Sequence, residues 1–174
     1  MFIILGSVLR VTKTGDFMID MANGLLGSKV GGAAKGAMVA SAGLGTIVGS
    51  SIGNVLATGT FTIPLMKRTG FEPHVAAAVE TNTSEGAQLV PPILGASAFI
   101  MAQLTGIPYE VIALAAVVPA SLYYFSLNTV VHIEALKHNI SGLPDDEIPS
   151  IKKTFTRGWH LLVAPISLFY LLLI

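Results

Sequence analysis

The run from Gly36 to Met66 constrains the fold of this chain more than any other feature, because it contains no Asp, Glu, Lys or Arg. A membrane-spanning helix needs about 20 apolar residues, and this run is longer than that. Small and polar residues interrupt it at Gly49–Asn54. The two apolar arms that remain, Gly36–Val48 and Val55–Met66, are each too short to cross a bilayer alone.

Positive charges stand at both outer ends of this run, with Lys29 and Lys35 before it and Lys67 and Arg68 after it. Two short apolar arms with cations at both open ends indicate a re-entrant helical hairpin over residues 36–66, which enters and leaves the membrane on one side. A polar turn at membrane depth is tolerated only where it is buried in protein or lines a wet cavity. In transporters, such broken helices hold substrate and coupling ion near the midplane.

Composition places the chain in the membrane class, since 52% of its 174 residues are hydrophobic and only 11% are charged. An ordinary soluble domain has about a quarter charged residues. We therefore predict an all-α membrane protein. The absence of cysteine excludes disulfides, thiolate metal sites and a cysteine nucleophile.

Other function classes find no support in the sequence. The four histidines form no metal-spaced cluster, and no basic patch with interleaved aromatics suggests a nucleic-acid partner. Zincin, Walker and Gly-x-Ser-x-Gly motifs are missing, and Ser50-Ser51 has no base suited to activate a nucleophile. We predict that the protein is not an enzyme and carries no cofactor beyond a coupling ion.

A second broken element follows over residues 71–104. Pro73 is a suitable first helical residue, Glu80–Gly86 is polar and poor in helix formers, and Pro91-Pro92 comes next. Proline removes a backbone donor and disfavours helix at the preceding residue. The pattern predicts a transmembrane helix that is unwound near its middle.

The remaining segments complete a multi-pass arrangement. Residues 1–35 are predicted to hold a helix end at Phe2–Leu9 and an amphipathic arm at Lys13–Lys29 that lies along the interface. Residues 111–133 predict an ordinary transmembrane helix and residues 134–157 a cytoplasmic loop. Residues 158–174 predict the start of a further span, so we expect a piece of a longer membrane protein.

The positive-inside rule gives the predicted orientation, because one side of the membrane can hold all the major clusters of Lys and Arg. This works only when the hairpin is re-entrant and the two following elements each cross once. The cations assigned to the cytoplasmic side are Lys29, Lys35, Lys67, Arg68, Lys137, Lys152, Lys153 and Arg157.

The hairpin turn offers oxygen ligands for a hard cation. Ser50, Ser51 and Asn54 supply side-chain oxygens for sodium, by extension of the oxygen preference of calcium and magnesium. Carbonyls near Gly49 and Gly53 add to them, because helix ends leave carbonyls unpaired. The first N–H groups of the second arm suit an anionic substrate. The alternative is that these small residues only allow close helix packing.

In the broken helix, we expect a second set of site residues. Thr81, Asn82, Thr83 and Ser84 offer hydroxyl and amide oxygens, and Pro91 keeps carbonyls out of helix bonding.

Ionisable side chains inside a membrane are functional candidates by default. Glu80 and Glu85 can ligate sodium or carry a proton, or each can lie near the interface or pair with Lys35 or Lys67. The second interpretation is favoured for Glu80, because it lies about two turns after Pro73, and the choice stays open for Glu85. On the second hairpin arm Thr58 is close enough to the turn to join the site.

Three stretches carry a resemblance to a known family: GGAAKGAMVASAGLGTIVGSSIGNVLATGTFTIPLMKRTGF, AAAVETNTSEGAQLVPPILGASAFIMAQLTGIPY and LYYFSLNTVVHIEALK. They resemble the large membrane subunit of TRAP transporters, the tripartite ATP-independent periplasmic uptake systems, and in particular the fused permease of the TAXI type. The resemblance covers essentially the whole chain. Gly49–Asn54 matches the turn of the family's first hairpin, and Thr81–Pro92 matches its unwound helix.

The resemblance implies an elevator-type secondary transporter with two inverted halves, of which this chain holds one. It implies sodium as coupling ion, small organic acids as substrates, and location in a bacterial or archaeal cytoplasmic (inner) membrane. The implied partners are a periplasmic substrate-binding protein, the second hairpin half, a small membrane subunit domain and the lipid bilayer. The chain departs from the family pattern at Glu85 and in the polar Thr81–Thr83. Another ion-coupled organic-anion transporter and a non-transporting membrane assembly subunit remain as alternatives.

Overall fold

A computed structural model describes residues 14–91 and 93–163, with only the backbone of Leu162. This part of the chain is helical, and no strand occurs within it. Seven α-helices follow one another: α1 Thr14–Leu26, α2 Gly32–Val48, α3 Ser51–Arg68, α4 Pro73–Gly86, α5 Ala96–Thr105, α6 Tyr109–Lys137 and α7 Ile151–Gly158. Helices α1 to α4 form the main packed body, and α6 lies along it.

Helices α2 and α3 form the predicted helical hairpin, with a turn that is shorter than expected. Gly49 adopts the left-handed conformation (φ 58°) and ends α2, as glycine commonly does at helix ends. The Ser50 hydroxyl accepts a hydrogen bond from the Gly53 N–H at 3.3 Å and caps α3. Gly53 and Asn54 therefore belong to the first turn of α3 and not to an irregular tip.

The hairpin arms are longer as helices than as apolar runs, because the flanking residues 32–35 and 67–68 are helical too. With 17 and 18 residues, the arms measure about 26 Å at 1.5 Å per residue. That remains below the roughly 30 Å thickness of the hydrocarbon core.

The second element is interrupted between Gly86 and Ala96, after the polar stretch at 80–86, which is helical. Helix α4 starts at Pro73, as expected, and continues through Gly86. A 3₁₀ turn at Ala87–Leu89 follows, and regular helix resumes only at Ala96. Hydroxyls within α4 bond back to the helix, as where Thr83 donates to the Val79 carbonyl at 2.7 Å. The proline pair at 91–92 sets the break instead, since proline acts on the residues just before it.

The open ends of the hairpin meet the carboxyl end of α6 at a common base. The Gly31 N–H donates to the Ile140 carbonyl at 3.2 Å, and the Leu143 N–H donates to the Gly27 carbonyl at 2.8 Å. A hydrophobic cluster with Met66, Phe71, Val131 and Ala135 packs the same region. The base therefore brings together cations that the positive-inside rule assigned to one side: Lys29, Lys35, Lys67, Arg68 and Lys137.

Helix α6 has 29 residues and is about 43 Å long. Within the described ranges, it is the helix that is long and apolar enough to cross a membrane, and the predicted span at 111–133 lies inside it. Its first part packs on α5 and on the preceding Leu94, in a cluster that includes Ala98 and Ala113.

The predicted cytoplasmic loop at 134–157 contains more helix than expected. Helix α6 extends to Lys137, a 3₁₀ turn covers Asp145–Glu147, and α7 packs on α1. The predicted span over 158–174 is described only to Val163, with a 3₁₀ turn at Trp159–Leu162. The predicted helix end at Phe2–Leu9 lies outside the described residues.

Candidate functional site

A cluster of buried polar side chains joins the hairpin to α4. Glu80 lies at its centre with 1% of its surface exposed, and its polar neighbours are fully buried. Glutamate is almost never so buried unless its carboxylate is paired or hydrogen-bonded. We call this group the Glu80 cluster; its members are Ser41 of α2, Asn54, Thr58 and Thr62 of α3, and Glu80 and Ser84 of α4.

Hydroxyl groups surround the Glu80 carboxylate. Oε2 accepts a hydrogen bond from Thr62 at 2.7 Å. Oε1 accepts from Thr58 and, at 3.2 Å, from Ser84, and the Ser41 hydroxyl lies 3.4 Å away. Charge-assisted hydrogen bonds of this kind are the strong ones.

The interpretation favoured for Glu80 from the sequence, exposure near the interface or pairing with Lys35 or Lys67, is wrong. The side chain is buried, and no ion pair to it occurs among the residues the structure describes. Lys35 lies 3.0 Å from Nδ1 of His132, and Lys67 is exposed. Distance along the helix from Pro73 misled the prediction, because neighbouring helices cover even the early turns of α4.

Four-residue spacing explains how the sequence builds this cluster. Asn54, Thr58 and Thr62 recur every four residues and share one face of α3, and Glu80 and Ser84 do the same on α4. The sequence prediction included Asn54, Thr58 and Ser84. It missed Thr62, which the four-residue period would have found, and Ser41, for which no spacing signal exists.

Asn54 ties both hairpin arms to α4. Its amide Nδ2 donates to the Ser41 carbonyl at 3.0 Å, lies 2.8 Å from the Ser41 hydroxyl and 3.2 Å from that of Ser84. Its Oδ1 is buried and meets no donor among the described residues. A buried unpaired oxygen is costly, so Asn54 Oδ1 is the part of the predicted sodium set best prepared to accept a ligand.

The hairpin turn lies directly against the break between α4 and α5. A Cβ placed on Gly49 would approach the Ile93 carbonyl oxygen to 2.8 Å, and a Cβ on Gly45 would overlap that of Ala87. Glycine at these positions lets the two broken elements touch through their backbones. Pro91 is half-buried within the break.

The other predicted site residues divide into two groups. Thr83 is buried, whereas Thr81, Asn82 and Glu85 are exposed on α4, and Glu85 accepts a hydrogen bond from Gln88 at 3.1 Å. Ser50 caps α3, and Ser51 is half-buried at the first position of that helix. The Asn54 N–H donates to the Ser50 carbonyl at 2.9 Å, while the Asn54 side chain bonds to Ser41 and Ser84. The sodium role of Ser50, Ser51 and Asn54 stays a prediction.

Two tyrosines of α6 donate hydrogen bonds to backbone carbonyls near the C-terminal end of α4. Tyr123 and Tyr124 donate to the carbonyls of Asn82 and Thr83 at 2.7 and 2.8 Å. The Ala87 N–H bonds to carbonyls other than that of Thr83, so Tyr124 supplies the donor that a continuing helix would provide. Interpreting these tyrosines as packing or interface aromatics overlooked this role.

The chain matches the family model described as "Tripartite ATP-independent periplasmic transporter, DctM component" over residues 1–174. It therefore belongs to this family of transporter permease components, which is the family indicated by the hairpin and broken-helix motifs. The family assignment points to a permease and not to an enzyme.

Two curated relatives are similar at lower identity. The "C4-dicarboxylate TRAP transporter large permease protein DctM" of Pseudomonas aeruginosa is 28% identical over 143 residues, or 82% of this chain and 33% of the relative. The "Uncharacterized protein YgiK" of Salmonella typhimurium is 24% identical over 140 residues, or 79% and 32%. The chain thus spans about a third of the length of these relatives. No solved structure matches it.

Proposed function

We propose that this chain forms one half of the transport site in the permease of a sodium-driven uptake system for a small organic acid. The observation that supports it is the direct contact of a helical hairpin turn with a second helix break. The helices on both sides of this contact enclose the buried Glu80 cluster. Broken helices of this kind hold ions and substrate in secondary transporters.

The length of the hairpin supports a re-entrant position. Both arms start from the cation-rich base and measure about 26 Å, whereas α6 measures about 43 Å. The turn at Gly49–Ser50 then ends inside the membrane, where irregular backbone is tolerated because protein surrounds it.

The start of α3 suits an anionic substrate. Backbone N–H groups at a helix N-terminus point at the ligand, and the helix dipole favours negative charge there. One relative is named for C4-dicarboxylates, and small carboxylic acids are the substrate class that we propose. Sodium would take oxygens from Ser51, the Asn54 side chain and the carbonyls around Gly49.

The proposed mechanism is elevator alternating access. The Glu80 cluster joins α2, α3 and α4 through several buried hydrogen bonds, and such networks make packed elements rigid. These helices would move together with the bound ion and acid. The partners in this proposal are a periplasmic substrate-binding protein, the second hairpin half and a small membrane subunit in an inner membrane.

Sodium dependence of uptake tests the proposal in proteoliposomes that hold the full-length permease and its binding protein. Ser51→Ala and Asn54→Ala should raise the sodium concentration for half-maximal uptake about tenfold or more. Thr60→Ala, an exposed change on the same helix, serves as control. An unchanged sodium requirement in both variants would contradict the assignment, and absence of sodium-dependent uptake in the parent would remove the proposed function altogether.

A further inference from the structure

Glu80 is a buried acid whose neighbours are hydroxyl groups and not cations. Thr58, Thr62 and Ser84 lie within hydrogen-bonding distance of its two oxygens, and no ion pair involves it within the described residues. An ionised carboxylate without a counter-ion is costly at such a position. Ionisable side chains inside membrane proteins are also typical of proton pathways.

The distances between the cluster oxygens are those of hydrogen bonds. O–H···O hydrogen bonds span about 2.5–3.0 Å. Thr62 Oγ1 lies 2.7 Å from Glu80 Oε2, and Thr58 Oγ1 also donates to Oε1. Each of these pairs is close enough to share a hydrogen.

The cluster can satisfy its hydrogen bonds in two protonation states. When Glu80 is ionised, the hydroxyls of Thr58, Thr62 and Ser84 donate to its oxygens. When Glu80 is protonated, its O–H donates to Thr62 Oγ1, and the Thr62 hydroxyl turns to the Thr58 carbonyl, which lies 3.0 Å away. Thr58 has a similar second acceptor in the Asn54 carbonyl at 2.8 Å. Each threonine hydroxyl therefore has one acceptor for either state.

We propose that the Glu80 cluster is a proton-binding site, in which the carboxyl takes up and releases one proton while the hydroxyl of Thr62 switches acceptors. The proton comes from hydronium in the solvent, which becomes water, and it adds to Oε2. No bond between heavy atoms forms or breaks. The protonated acid is neutral, so the hairpin and α4 lose a buried charge in that state, which lowers the cost of carrying the cluster through the membrane.

The other ionisable side chains near the cluster have partners of their own or are exposed, so Glu80 is the group assigned as its proton acceptor. Tyr124 of α6 faces Glu80, and the Tyr124 hydroxyl donates a hydrogen bond to the Thr83 carbonyl. Lys35 of α2 bonds to His132 of α6, and Arg68 of α3 pairs with Glu147. Lys67 of α3 and Glu85 of α4 are exposed.

Infrared difference spectroscopy of the full-length permease in lipid tests the site directly in sodium-free buffer. Lowering the pH should produce the carbonyl band of a buried protonated carboxyl. Glu80→Gln should remove this band and still fold, because its amide can donate to Thr62 as the protonated acid does. Glu85→Gln, an exposed acid on the same helix, is the matched control and should retain it. Thr62→Val should shift its frequency.

Two results would overturn the proton site: a band that is equal in the parent and in Glu80→Gln, or a band that sodium removes at constant pH. The transport consequence rests on the proposed function, and uptake provides its readout. A pH gradient should change the rate of uptake in the parent and not in Glu80→Gln. Lack of any uptake in the parent would refute the proposed function, while the infrared measurement would still decide the proton site.

Discussion

Polar and apolar side chains are arranged in opposite ways in two regions of the molecule. One region is the body formed by α2, α3 and α4, and the other is the long helix α6. In the body, hydroxyls, an amide and a carboxylate are buried and bond across helices. On α6, apolar side chains face outward, with Leu114 67% and Phe125 72% exposed. The hydroxyls of Ser121 and Thr129 bond back to their own helix, as where Thr129 donates to the Phe125 carbonyl at 2.9 Å, and only the two tyrosines described above reach across to α4 within the described residues. A helix that meets lipid or another apolar partner satisfies its backbone polar groups internally. In the body, polar side chains instead form hydrogen bonds between helices.

Removing one cross-helix hydroxyl should have the largest effect. Thr62→Val removes a donor to Glu80 and leaves a buried carboxylate oxygen unsatisfied, so we expect a loss of about 3 kcal/mol in unfolding free energy when Glu80 is ionised. Thr129→Val, the same change on α6, should cost less than about 0.5 kcal/mol. Denaturant unfolding of the two permease variants in alkaline buffer gives the comparison, and equal losses would mean that the two regions do not differ.

Close backbone contact is the next difference to test. Gly45→Ala places a Cβ on that of Ala87, and overpacking of this kind should cost about 2 kcal/mol. Gly43→Ala on the same helix meets only the terminal methyl of Met18, which can rotate away. Thermal unfolding should separate the two variants clearly; a Gly45→Ala protein as stable as Gly43→Ala would show that the hairpin and the break do not touch.

The tyrosine bridge from α6 to the body should contribute less. Tyr124→Phe removes a single hydrogen bond to the Thr83 carbonyl and should cost about 1 kcal/mol. Amide hydrogen exchange around residues 83–90 is the sharper measurement, because the end of α4 should exchange faster in the variant. Exchange equal to that of the parent would show that the carbonyl finds another donor.

A surface ion pair at the base should have the smallest effect. Arg68 and Glu147 lie 2.7 Å apart, but their side chains are 63% and 40% exposed. Arg68→Gln should cost less than about 0.5 kcal/mol, and added salt should abolish the difference. A larger loss of unfolding free energy that does not depend on salt would show that this exposed ion pair stabilises the base of the hairpin.

The sequence was sufficient for the hairpin because its signals are local. A charge-free run, a Gly-Ser turn and flanking cations are all visible in the order of residues, and they predict the α2–α3 pair. The sequence placed the second break only near the middle of residues 71–104, because the polar residues at 80–86 are poor helix formers. Their side chains instead bond to the helix backbone or across to the hairpin, and those partners depend on the tertiary fold.

The site was predicted only in part for the same reason. Asn54, Thr58 and Ser84 were chosen for their oxygens and lie together, while Asn82 and Glu85 were chosen on the same ground and face outward. Which face of α4 meets the hairpin is decided by close contacts such as that between Gly45 and Ala87, and no single-residue property reveals it. The burial of Glu80 follows from those contacts.

The central claim is that the hairpin turn is a re-entrant, ion-accessible site within a transporter. The chain contains no cysteine, so a single Ser51→Cys change can report on the turn in a permease made cysteine-free elsewhere. Labelling by a membrane-impermeant thiol reagent would be measured in oriented vesicles with and without sodium. The account predicts labelling that sodium suppresses. Rapid labelling that ignores sodium and occurs only from the periplasmic side would identify Gly49–Asn54 as an external loop and contradict the claim.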